Sequence, residues 1–127
     1  MPLRTEQDIV MCRQMVRKLA QQVGFSLVDQ TKMITAASEL SRNAVVYGGG
    51  GLMRWGIVTG LNTRTGLRLA FEDQGPGIPD LDLALTDGWT SGSGLGVGLS
   101  GSKRLVSEFE IRTAAGEGTC VTITRWK

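Results

Sequence analysis

The sequence predicts an α+β fold in two layers, a mostly antiparallel sheet with helices on one face. Two stretches near the N-terminus repeat apolar residues at helical spacing. Most of the remainder is short β-rich runs joined by turn residues in hairpin fashion. The resulting order is helix, helix, strand, strand, loop, helix, strand, strand, without an internal repeat or a linker. At 127 residues the chain is expected to form a single domain, large enough for a core without disulfide or metal staples.

Within residues 8–23, Ile9, Met11 or Cys12, Met15 or Val16, and Leu19 recur at helical spacing, and Gly24 supplies a stop. Ser26 then offers an N-cap with Asp29 three residues on. Met33, Ala37, Leu40, Ala44 and Tyr47 follow in steps of four and three, a second helix that runs into the glycines Gly48 to Gly51. Residues 52–60 and 66–71 are rich in β-formers and are joined by the polar "LNTRTG", which reads as a hairpin. In "EDQGPGIPD" the prolines and glycines end the strand and forbid regular structure. One short turn is expected within residues 80–87, in a connection reaching Ser93, and a third helix over residues 95–107. A final hairpin pairs "EFEIRTAA" with "TCVTITRW" around "GEG".

Composition removes several function classes. Fourteen Lys plus Arg oppose twelve Asp plus Glu, a net charge of +2, with no run of like charge to serve as a nucleic-acid arm. Apolar stretches fall far short of a membrane span, and the opening "MPLRTEQDIV" has no apolar signal core, so a cytoplasmic location is expected. Cys12 and Cys120 lack metal-ligand spacing and read as two buried free thiols, with a disulfide as the alternative. The chain has no His, which excludes a Ser-His triad, His metal ligands and phosphohistidine chemistry on this chain. Catalysis would rest on carboxylates, amides, hydroxyls and backbone.

Three constellations carry possible chemistry. The run "TSGSGLGVGLSGSKRL" concentrates glycine where a helix former would stand, and each Gly inside a helix costs roughly 0.5 to 1 kcal/mol relative to Ala. Its "GVGLSG" matches GxGxxG literally, but neither a βαβ unit nor a Walker Gly-Lys-Ser/Thr accompanies it, so a phosphate cradle and a plain glycine-rich loop both remain open. Glu39 and Asn43 stand one helical turn apart on a common face, about 100° from the Leu40 line. A carboxylate beside a neutral amide suits phosphoryl transfer; the alternative is an exposed face with Glu39 paired to Arg42. Asp73 ends a strand before a Pro-Gly turn, where its carboxylate either accepts a hydrogen bond from a base amino group or belongs to an ordinary turn.

Taken in order, "ELSRNAVVYG", "EDQGPGI", "GSGLGVGLSGSKRL" and "GEGTCVTI" resemble the Bergerat ATP-binding fold shared by gyrase, Hsp90, MutL and histidine kinases. Within it, "FSLVDQTKMITAASELSRN" and "EDQGPGIPDLDLALTDGWTSGSGLGVGLSGSKRLVSEFEI" are similar to the small stand-alone serine/threonine kinases of bacterial partner-switching, or stressosome, systems. The resemblance implies that Glu39 polarises the attacking hydroxyl and Asn43 is the Mg²⁺ ligand. It implies that Asp73 reads the adenine amino group, that Gly75 and Gly77 make room for the base, and that Thr119 supports Asp73 and water near adenine. Gly94, Gly96 and Gly98 would lie in the phosphate loop, and Leu95, Val97 and Leu99 would share the helix start that faces negative charge. Anti-sigma relatives often place a basic residue just before this loop, whereas "WTSGS" has none. Arg42, Lys103 and Arg104 are then the candidates to steady the γ-phosphate, or simply solvated charge.

The implied activity is transfer of the ATP γ-phosphoryl group to Ser or Thr of a STAS-domain antagonist or scaffold protein, with ATP and Mg²⁺ required. A PP2C-type phosphatase or another effector is the implied second partner, with neither nucleic acid nor membrane involved. Two rivals share the fold, an anti-sigma factor kinase that sequesters a sigma factor and a non-catalytic ATP-gated binding module.

Overall fold

Helix α1 (Glu6–Val23) begins where the extended residue Thr5 turns its hydroxyl to accept the Asp8 N–H at 3.3 Å. It ends at Gly24, whose φ of 89° lets its N–H reach the carbonyls of Ala20 and Gln21. The apolar register resolves onto Cys12 and Val16, both fully buried, while Met11 is 46% exposed. Helix α2 (Leu27–Val46) starts as expected at Ser26, whose Oγ accepts from the Asp29 N–H at 3.2 Å. Its buried stripe of Met33, Ala37, Leu40 and Ala44 is widened by Ala36, Glu39 and Ser41. The computed structural model describes residues 1–77, 98–114 and 116–127.

Strands β1 (Pro2–Leu3), β2 (Gly51–Thr59), β3 (Thr65–Asp73), β4 (Glu108–Thr113) and β5 (Thr119–Trp126) form one sheet in the order β1-β2-β3-β5-β4. Every pairing among the described residues is antiparallel. Met53 lies opposite Phe71 and Phe71 opposite Val121, while Leu69 lies opposite Ile123. Since side chains alternate along a strand, these apolar residues share one face and are buried in the core formed with α1 and α2. The other face carries polar pairs, Arg54 with Glu72 at 3.0 Å and Arg68 Nε donating to Thr124 Oγ1 at 2.9 Å. Both cysteines are free, and the buried Cys12 thiol donates to Met53 Sδ at 3.4 Å across the two layers.

Helix α3 (Gly98–Arg104) ends before the Ser107 expected from the sequence. The expected start at Leu95, and the turn expected within residues 80–87, lie outside the described residues. At the other end, competition for backbone groups stops it before Ser107. The Leu105 N–H closes a tight turn onto Ser102 at 3.1 Å, its carbonyl accepts from Arg125 Nη1 at 2.8 Å, and the Ser107 N–H is drawn to the Thr124 carbonyl at 2.9 Å. Arg125 Nη2 also reaches Asp29 Oδ1 at 2.6 Å, so one guanidinium ties β5 to the start of α2 and the end of α3. Among the described residues no helix is long and apolar enough to cross a membrane.

Candidate functional site

A cavity opens where the C-terminal half of α2 meets the ends of β3 and β5. Helix α2 and the residues after it contribute Leu40, Asn43, Ala44, Tyr47 and Gly48. The strands add Phe71, Asp73, Thr119 and Val121, the following turn adds Pro76 and Gly77, and α3 adds Gly98 and Leu99. Leu40, Ala44, Phe71, Leu99 and Val121 make the wall apolar, while Asn43, Tyr47, Asp73 and Thr119 are the lining residues with polar side-chain atoms among the described residues. A mainly apolar concavity with few placed polar groups is the form of a small-molecule site.

The strand ends explain how the polar groups arrive together. Asp73 closes β3 and Thr119 opens β5, and the two are register partners. Asp73 Oδ1 accepts the Gly75 N–H at 2.9 Å, an Asx turn that orients the carboxylate. Thr119 Oγ1 lies 3.0 Å from Thr113 Oγ1, and Thr113 also donates to the Gly118 carbonyl at 3.1 Å. The Thr119 hydroxyl is therefore shared with β4 while its strand position keeps it beside Asp73. Gly77 takes a φ of 76°, where a side chain would be strained and would also meet the Ala114 carbonyl.

The sequence-derived residues divide among three places. Asn43, Asp73, Gly77, Gly98, Leu99 and Thr119 line the cavity, and Gly75 stands just behind Asp73. Glu39 sits one helical turn before Asn43 and is only 6% exposed. That burial overturns the alternative in which Glu39 decorates an exposed helix face. Arg42 is half-buried on α2, and Lys103 and Arg104 are exposed in the last turn of α3; none of these three lines the cavity among the described residues. Gly94, Leu95, Gly96 and Val97 lie outside the described residues. Sequence reasoning assigned Leu40, Ala44 and Tyr47 to the core stripe alone, yet that stripe continues past the packed core to form the cavity wall. Phe71 and Val121 are reached by counting inward two residues from Asp73 and Thr119 along paired strands.

No group of three or more Cys, Asp or Glu among the described residues is arranged to hold a metal ion. A cation here would take most of its ligands from a bound anion and from water, with the Asn43 amide oxygen as a hard, neutral protein donor on the wall.

Residues 28–127 match the family model of histidine kinase-, DNA gyrase B- and HSP90-like ATPases. The serine/threonine-protein kinase RsbT of Bacillus subtilis (strain 168) is 44% identical over 124 residues, covering 98% of this chain and 92% of that protein. A crystal structure of the RsbU and RsbW domains of a Mycobacterium tuberculosis protein aligns with a TM-score of 0.64 at 23% identity, over 99% of this chain and 32% of that one. The chain thus spans about a third of that structure's length. The mycobacterial sensor histidine kinase MprB aligns with a TM-score of 0.55 at 21% identity, over 99% of this chain and 96% of that one. Both structural likenesses concern the fold alone.

Proposed function

The chain belongs to the histidine kinase-, DNA gyrase B- and HSP90-like ATPase family, and from that premise we propose that it is an ATP-dependent serine/threonine protein kinase of a bacterial partner-switching stress pathway. Its substrates would be STAS-domain antagonist or scaffold proteins, and its second partner a PP2C-type phosphatase or another effector. The observation that carries this reading is the 44% identity to a serine/threonine-protein kinase along nearly the full length of both chains. The whole chain would act as one ATPase domain in the cytoplasm, where ATP and such partners are found.

The cavity's chemistry supports the assignment. Its apolar walls suit a flat base, and Asp73 presents an acceptor at the rim where an adenine amino group would donate. Gly75 and Gly77 keep side chains out of that rim, and Thr119 stands beside Asp73. Gly94, Leu95, Gly96, Val97, Gly98 and Leu99 would surround the phosphates. Asn43 fits the single protein ligand that Mg²⁺ needs when phosphates and water supply the rest. When bound, Mg²⁺ would offset the charge of the triphosphate. Glu39, on the same helix one turn earlier, would accept the proton of the attacking Ser or Thr hydroxyl. Phosphoryl transfer passes through a loose transition state, so the chain's main contribution is alignment of donor and acceptor, with the base contributing less. The new phosphate adds roughly −1.5 to −2 charge to the partner, enough to part an interface that had buried the hydroxyl.

Incubation with γ-labelled ATP, Mg²⁺ and STAS-domain proteins, followed by mapping of the label, tests the proposal. Phosphoserine or phosphothreonine on the STAS partner, with release of that partner, is expected. Binding of ATP with no transfer to any such partner would reduce the chain to an ATP-gated binding module. Co-purification with a sigma factor would point instead to an anti-sigma kinase.

A further inference from the structure

Asp73, Thr119 and Thr113 form a row across three adjacent strands: Asp73 on β3 is the register partner of Thr119 on β5, and Thr119 is that of Thr113 on β4. Register partners share a face of the sheet, so all three side chains stand on the face that carries the cavity. Asp73 and Thr119 line the cavity, whereas Thr113, half-buried and one strand further out, does not. Its hydroxyl nevertheless touches what stands behind both of them. Thr113 Oγ1 lies 3.0 Å from Thr119 Oγ1 and donates to the Gly118 carbonyl at 3.1 Å. Gly118, buried and at a φ of 80°, is packed so closely on β3 that a side chain there would meet the Asp73 carbonyl. The turn after β3 also passes over the same oxygen, since a Cβ at Gly77 would come within 3.3 Å of it. A valine would fill position 113 with the same shape and suits a strand, so packing of the hairpin alone does not call for a hydroxyl.

We propose that Thr113 is a positioning residue for the nucleobase: its hydroxyl holds Thr119 in one rotamer beside Asp73 and so fixes which side of Thr119, hydroxyl or methyl, the base meets. A Thr side chain has three staggered χ1 wells, and the contact with Thr113 Oγ1 selects the one in which Thr119 Oγ1 leans toward β4. The proposal rests on the reading of the cavity as an ATP site with Asp73 and Thr119 at the adenine. It has a consequence that a purely hairpin-closing hydroxyl lacks, because the effect of its removal on the nucleotide must run through the Thr119 side chain.

The test is a double-mutant cycle on the full chain, with calorimetric ATP affinity and ligand-free thermal unfolding measured for the parent, Thr113→Val, Thr119→Val and the double variant. Thr113→Ser is added as the variant that keeps the hydroxyl. Thr113→Val is expected to weaken ATP binding roughly three- to ten-fold, the range for one neutral hydrogen bond, while Thr113→Ser recovers parental affinity. The double variant should bind no worse than Thr119→Val. If Thr113→Val does not fold, Thr113→Ala takes its place in the cycle with the same expectation, and loss of the fold in both would make the hydroxyl a structural group and overturn the proposal. Near-parental affinity of Thr113→Val, equal losses in Thr113→Val and Thr113→Ser, or losses that multiply in the double variant would each overturn it while leaving the ATP site standing. Parental ATP affinity in Thr119→Val would remove Thr119 from the base, and an absence of ATP binding by the parent would overturn the nucleotide reading; the Thr113 proposal falls with either.

Discussion

Asp73 is held by contacts on separate sides, the Gly75 N–H on Oδ1, the Gly48 Cα beside Oδ2, and the Gly118 turn close to its backbone carbonyl. Asp73→Asn keeps an oxygen for the Gly75 N–H but puts an amide donor where Oδ2 stood, facing another donor on adenine. ATP affinity should fall at least about ten-fold, the scale of one charged hydrogen bond. The preference over GTP should shrink, because guanine offers an acceptor at that position. Equal ATP and GTP affinity in the parent, read by calorimetry, would remove Asp73 from the base. Glu39 poses a different problem, since a buried carboxylate is costly to leave unsatisfied and one this buried is held for a reason. Glu39→Gln preserves its shape, so transfer in single turnover should slow by roughly 10²- to 10⁴-fold with ATP affinity little changed. The lower end is expected, because the loose transition state asks little of a base. Transfer at near-parental rate would make Glu39 a structural carboxylate. Both residues were legible as candidates from type and spacing; the burial of Glu39 and the closeness of Gly48 were not, because both arise from elements distant in sequence.

Elements whose ends are chosen locally were readable, and those whose ends are chosen by distant partners were not. Ser26 marks the start of α2 because its hydroxyl can serve a nearby N–H, a bond that depends on three residues of chain. Ser26→Ala should cost about 1 kcal/mol of stability in urea unfolding, with the midpoint lowered and the slope unchanged. No loss would mean that packing of α2 alone determines its start. The end of α3 illustrates the contrary case, since Arg125, Ser102 and Thr124 all claim groups that a longer helix would have used. Strand β1 escaped notice for a related reason. Two residues show no period, and only Gly51 and Leu52, far along the chain, give Pro2 and Leu3 a partner. The turn joining β2 and β3 was legible from its polar composition, although it places both Asn62 and Thr63 at positive φ, of 59° and 57°.

At the scale of the whole molecule, alternation along each strand predicts one apolar face and hence two layers, but the insertion of β5 between β3 and β4 depends on pairing that local pattern does not encode. That insertion brings Thr119 to Asp73 and Val121 to Phe71, so the cavity is a product of topology more than of any motif. The joint between layers supplies a measurable consequence. Cys12 on α1 is fully buried against Met53 of β2. Burial pushes its thiol up to about 11 from an ordinary 9.0, against smaller opposing effects from the Ser41 hydroxyl and the N-terminal ammonium. Below 9.0 the thiol is protonated in both states and contributes no pH dependence. Between 9.0 and about 11 the unfolded chain has lost that proton while the folded protein keeps it, so the unfolded state binds fewer protons and stability falls as pH rises. Above about 11 the contribution levels off, at a total of about 3 kcal/mol for a shift of this size. Cys12→Ala should be less stable at neutral pH, because it leaves a small void between the layers. Its unfolding free energy should nevertheless decline less steeply than the parent's across that alkaline window, since other groups titrate equally in both proteins. Urea unfolding of the two at matched pH values isolates the difference, and parallel curves would show that the thiol ionises in the folded protein as readily as in the unfolded chain.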